Sequence, residues 1–186
     1  MKSFCRRIVP FLFLTVLIPV WPVHADSPIG TVNGMVVSTA DGSHLTVNNN
    51  GTEIFVRLHC IDAPVITRIH RNEPWLSKPG QPFAGRAFMS LSNKVLHKQV
   101  RLDIMRMNRR HQAVAVVWVE SRNINLEMVA EGLAWADRKC AKRPADSGYL
   151  AAEEQARSRK VGLWAQEAPQ PPWEFRKTRK LNKDSW

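Results

Sequence analysis

Apolar and polar residues alternate through much of the first half of the chain and recur every three or four positions in much of the second. Gly34–Thr39 is rich in β-branched residues, and His44–Asn48 alternates polar with apolar. Glu53–Ile61 alternates again, with Ile54, Val56 and Leu58 on one face and Phe55, Arg57 and His59 on the other. The run Asn48-Asn49-Asn50-Gly51 lies between the last two segments and predicts a tight turn, because Asn and Gly tolerate positive φ. Three strands in meander order follow. After a polar, turn-rich loop over 63–81, Pro82 marks a helix start, since a first-turn residue needs no amide hydrogen. Ala84, Ala87, Phe88, Leu91 and Val95 then form a stripe at helical spacing. Val100, Leu102 and Ile104 alternate with polar neighbours, and Ala113–Val119 is continuously apolar, as a strand covered on both faces requires. Further helices are predicted over 124–136 and 147–160, the latter with Ser147 as cap and Gly162 as stop. The order βββ-α-ββ-α-α predicts an α+β chain, mainly β, built on a five-stranded Greek-key barrel of the oligonucleotide/oligosaccharide-binding type.

The ends of the chain fall outside this pattern. Lys2, Arg6 and Arg7 precede an apolar run over Ile8–Trp21, and Val23-His24-Ala25 offers small residues for cleavage before Asp26. Residues 1–25 are therefore expected to be a secretory signal, because a bilayer span needs about 20 apolar residues. No second apolar run follows, so no membrane anchor is expected after cleavage. The domain is expected over 26–167, and 168–186 as a Pro-rich then basic tail, extended from Pro169, Pro171 and Pro172. The first 25 residues hold three of the 27 basic residues and no acidic one, so the net charge falls from +11 to +8 on their removal. That balance favours polyanions: nucleic acid, anionic lipid or polysaccharide. Cys60 and Cys140 remain, and they are either one disulfide or two separately buried thiols. A bridge would close an 80-residue loop, worth about 4 kcal/mol. His44, His59, His70 and His111 could together bind a borderline metal such as zinc, but they lack ligand spacing and read instead as scattered surface residues.

Several segments resemble one family. They are Asp41-Gly42, the run Val56–Pro64, Pro82-Phe83 with Ala87, Ala115, Asn125–Trp135, Glu153–Trp164 and Pro172–Arg176. Together they are similar in register to the staphylococcal nuclease-like family over about 30–176. The resemblance implies a barrel that holds nucleic acid and calcium-dependent hydrolysis of DNA and RNA phosphodiesters. Such chemistry needs oxygen ligands for a hard cation, a carboxylate base to activate water, and two guanidinium groups to grip the phosphate.

By that resemblance Arg57 stands at the first phosphate-binding arginine, and Asp62 at a metal-ligand position. Ser43 occupies the place of the other metal aspartate, Val65 that of the general base and Gln112 that of the second arginine. Arg138 and Cys140 stand where the family has nucleotide-contacting tyrosines. Glu73, in the long loop, and Arg109 or Arg110, just before Gln112, are the residues that could substitute for the missing groups. Losing a general base costs about 10²–10⁴ in rate, and losing a charged transition-state donor about 10²–10³. The expectation is an exported, periplasmic or extracellular protein that binds nucleic acid with weak or lost cleavage. The alternatives are an active metal-dependent endonuclease with a rearranged site, and an envelope protein-interaction barrel.

Overall fold

The computed structural model describes residues 27–67, 72, 77–143 and 146–181. The expected signal segment, His70 and Glu73 lie outside them. In chain order the elements are β1 (Gly30–Thr39), β2 (His44–Asn49), β3 (Thr52–Leu58), β4 (Ile61–Asp62), α1 (Ala84–Val95), β5 (Gln99–Met107) and β6 (Ala113–Val119). Then come β7 (Arg122–Asn123), α2 (Ile124–Ala130), β8 (Trp135–Ala136), α3 (Arg138–Ala141), α4 (Ser147–Ser158), a 3-10 turn (Gly162–Ala165) and α5 (Pro172–Leu181).

The alternating segments pair as their periodicity requires. Strand order is β3-β2-β1-β5-β6-β7, and a parallel pairing of β3 with β6 closes the first five into a barrel. The β2–β3 turn uses Asn50 and Gly51, both at positive φ, and the Gly51 amide donates to Asn48 Oδ1. Val36, Leu45, Val47, Val56, Leu58, Leu102, Ala115 and Val117 fill the interior. The α1 stripe of Ala84, Ala87, Leu91 and Val95 is buried as well. At Gly42 a Cβ would lie 2.6 Å from the Ala87 Cβ and 2.9 Å from that of Ala63, so glycine lets the β1–β2 turn touch both α1 and the segment after β4. No helix among the described residues is long and apolar enough to cross a membrane.

Three expectations need correction. The helix predicted over 124–136 ends at Ala130, because Gly132 turns the chain at φ +66° and a side chain there would lie 2.3 Å from the Val161 carbonyl oxygen. Trp135 and Ala136 then pair with Asp62 and Ile61 as a short strand. The α4 cap position is Asp146, not Ser147, and its carboxylate is turned towards His59 and Arg143. The tail is not extended throughout: Pro172 opens the helix α5, its fixed φ suiting a first turn. Trp173 of α5 meets Trp135 edge-on at 5.7 Å, and Trp135 in turn meets Trp164 at 4.4 Å.

Candidate functional site

One rim of the barrel carries a polar, open cavity of about 440 Å³, lined by residues from four separate segments. Strand alternation supplies the first pair. Val56 and Leu58 point into the core, so Arg57 between them points out, and its cross-strand partner is His44. Partners directly opposite share a face, and both line the cavity.

The turn before β2 fixes His44. Asp41 Oδ1 accepts from the Ser43 amide at 2.7 Å and from the Ser43 hydroxyl at 3.0 Å. His44 Nδ1 lies 2.9 and 3.0 Å from the two Asp41 oxygens. Burial pushes the Asp41 carboxyl up, but the His44 ring and the Ser43 donors outweigh it and hold the group below its ordinary value. Nδ1 is thus engaged within the turn, and the His44 side chain lines the cavity. Ser43 is itself buried, its hydroxyl occupied by Asp41.

After Leu58 the chain leaves the sheet, and Cys60 adopts φ +57°. Asp62 emerges from β4 almost wholly buried. Val65 lines the same cavity, its amide donating to Gln81 Oε1 at 3.0 Å. The β5–β6 hairpin brings the third segment. Asn108 Oδ1 accepts from the Arg110 and Gln112 amides, and Asn108 Nδ2 donates to Gln112 Oε1 at 2.9 Å. Gln112 is thereby held by its neighbour, while Arg109 and Arg110 line the cavity.

The fourth segment is α5, which contributes Arg176 and Arg179 one turn apart. Arg176 Nη1 donates to Asp62 Oδ1 at 3.2 Å, and its Nη2 donates to Asp62 Oδ2. Five arginines thus face two carboxylates. Each carboxylate already has a partner: Asp62 has Arg176, and Asp41 has His44 and Ser43.

The structure therefore gathers Arg57, Ser43, Asp62, Val65, Arg110 and Gln112 around one cavity, and Glu73 lies outside the described residues. Cys60 and Cys140 form a disulfide with Cα atoms 5.3 Å apart. Arg138, at the other tyrosine position, pairs with the buried Glu153 at 3.0 Å. His59 is not a surface residue: it is 2% exposed, beside the disulfide and 3.2 Å from Asp146 Oδ1. Burial, with Arg143 nearby, holds its pKa below the ordinary value against the pull of Asp146. His59, Asp146 and the two cysteines are grouped within 4.8 Å, but the bridge consumes both sulfurs.

Sequence reasoning gave no site role to Asp41, His44, Arg176 or Arg179. Asp41 and His44 carried the signal of an Asx-type turn, an aspartate two residues before the amide that it caps. Arg176 carried no local signal, because it lies 114 residues from the aspartate that it holds.

Comparison with known proteins agrees with this architecture. The profile of the staphylococcal nuclease homologue family matches residues 55–166. An uncharacterized endonuclease of Haemophilus influenzae is 36% identical over 148 residues, covering 79% of this chain and 74% of its own. A micrococcal nuclease of Shigella flexneri is 31% identical over 184 residues, covering 94% and 93%. Protein ParB of Escherichia coli is 31% identical over 180 residues, covering 92% and 91%.

Proposed function

The chain belongs to the staphylococcal nuclease family, and from that premise we propose that it is an exported nucleic-acid-binding protein whose calcium-dependent phosphodiester cleavage is weak or lost. The observation that carries this reading is the cavity itself, in which Arg57 and four further arginines outnumber two carboxylates that are already paired. Guanidinium groups match phosphate oxygens in bidentate fashion and keep their charge at any working pH. Nucleic acid supplies a phosphate at every nucleotide, and the +8 charge after residue 25 favours its approach.

Family membership implies calcium, and the donor set argues against it. Calcium takes 6–8 oxygen ligands. Asp62 is committed to Arg176, Asp41 and the Ser43 hydroxyl are committed to each other, and Val65 offers no side-chain oxygen. Val65 also leaves the base position unable to accept a proton from water. Binding can persist without these groups, because phosphate contacts need only the arginines.

The test is incubation of the chain from Asp26 onward with single-stranded DNA, with calcium and separately with EDTA, beside an Arg57→Ala variant. The reading expects intact DNA that is retained at low salt and released at high salt, with weaker retention by the variant. Calcium-dependent cleavage that disappears in Arg57→Ala would overturn it.

A second reading, an active nuclease with a rearranged site, is favoured by one observation. The Asp41–His44 pair engages Nδ1 of an imidazole that lines the arginine-rich cavity, and an imidazole oriented by a carboxylate is a common general base. It expects cleavage that survives EDTA and fails in His44→Ala.

A further inference from the structure

The ion pair between Asp62 and Arg176 joins the last helix to the centre of the cavity, and it has the properties of a built part of the site. Helix α5 is anchored just ahead of Arg176. Trp173 packs against Trp135, and Phe175 lines a hollow with Pro64, Pro82 and Leu163. Just before the helix, Gln81 Nε2 donates to the Gln170 carbonyl at 2.8 Å. The guanidinium is therefore delivered by a docked helix, with much of its freedom already lost before any ligand arrives.

A divalent ion between a carboxylate and a phosphate does two things: it neutralises the carboxylate and presents positive charge to the phosphate. Arg176 can do both. A guanidinium has five N–H donors in one plane. Asp62 takes one from each Nη, and of the other three, two lie on one edge and can serve a second acceptor. The neighbouring side chains fit an anion and not a cation. Arg57, Arg109, Arg110 and Arg179 line the same cavity, and a divalent ion would enter against their charge while displacing Arg176 from an aspartate that is only 6% exposed.

We infer that Arg176 is a built-in replacement for a metal ion, so that this cavity binds a phosphodiester without metal and needs α5 to do so. The inference rests on the nucleic-acid reading above and names the residue and the segment that reading left open.

The test measures binding of a fluorescein-labelled oligothymidylate at low salt by anisotropy, in EDTA and in calcium. The proteins are the wild-type chain, Arg176→Ala, Arg176→Lys and Lys139→Ala, the last an exposed residue that does not line the cavity. Wild-type affinity is expected to be the same in both buffers. Arg176→Ala is expected to weaken binding by about tenfold or more, the loss of a charge-assisted hydrogen bond. Arg176→Lys should stay weak, since an ammonium cannot hold a carboxylate and a phosphate in a planar fork, whereas Lys139→Ala should change little. Thermal melting with and without calcium gives a second readout: the wild-type midpoint should not move, whether or not Arg176→Ala folds well enough for the binding assay. A wild type that binds tighter or melts higher in calcium overturns the inference while leaving the nucleic-acid reading in place. So does an Arg176→Ala variant that binds as well as wild type. A wild type that retains no oligonucleotide removes the nucleic-acid reading and this inference together.

Discussion

Replacing Asn125 with alanine should destabilise the protein by about 3 kcal/mol, through two backbone groups that lose their partner. Asn125 lies in the first turn of α2 with its side chain wholly buried. Its Oδ1 accepts from the Val117 amide at 2.9 Å, and its Nδ2 donates to the His59 and Ala115 carbonyls at 3.0 Å each. The Ala115 carbonyl also accepts from the His59 amide at 2.8 Å, so it keeps a partner in the variant. The Val117 N–H and the His59 C=O do not. Each buried group left unsatisfied costs about 1–3 kcal/mol, so the two together bracket about 2–6 kcal/mol, and alanine at the site lets neither reach water. For a domain of this size 3 kcal/mol corresponds to a fall of about 6–12 °C in melting temperature. Urea unfolding followed by tryptophan fluorescence measures it, with Trp135 and Trp164 buried in the folded state. The midpoint should fall with the slope unchanged. Asn125→Asp should lose at least as much near neutral pH, since a carboxylate would face two carbonyl oxygens without a hydrogen to give. A loss below about 1 kcal/mol for Asn125→Ala would refute the reasoning. The His59 carbonyl stands just ahead of the turn that carries Asp62, so the contact also sets where the cavity's buried carboxylate emerges.

Reduction of the Cys60–Cys140 bridge, or a double change to serine, should lower stability by about 4 kcal/mol, since it reopens an 80-residue loop; an unchanged urea midpoint in reductant would contradict this. His59 is held below its ordinary value in the folded state, so the unfolded chain takes up its proton first. Its contribution is complete above about pH 6.5 and is lost as pH falls from there through the depressed folded value. The drop in stability between about pH 8 and about pH 5 should therefore shrink in His59→Gln, and an equal drop in both proteins would exclude His59 as its source. Arg110→Ala should weaken DNA binding and reduce the salt slope by about one; an unchanged slope would mean that Arg110 contacts no phosphate.

The barrel was legible in the chain because its determinants are local. Strand alternation at Ile54–Leu58, the Asn-Gly turn and the α1 stripe each act within a few residues, and the structure pairs them as their periods require. The family was legible for the same reason, as short motifs in register. Where local patterns competed, the sequence misled. The apolar run Leu133–Trp135 looks helical, yet Gly132 must turn because the chain near Val161 presses against it. The prolines at 169, 171 and 172 look extended, yet Trp173 and Phe175 find apolar partners that make a helix worth forming there. The cavity lay furthest from reach. Through its family resemblance the sequence set Arg57 and Asp62 at one expected site, with Val65 where that resemblance expects a carboxylate. Only the tertiary structure decided that Asp62 would be met by Arg176, because an ion pair depends on distance in space and the two residues are 114 positions apart along the chain.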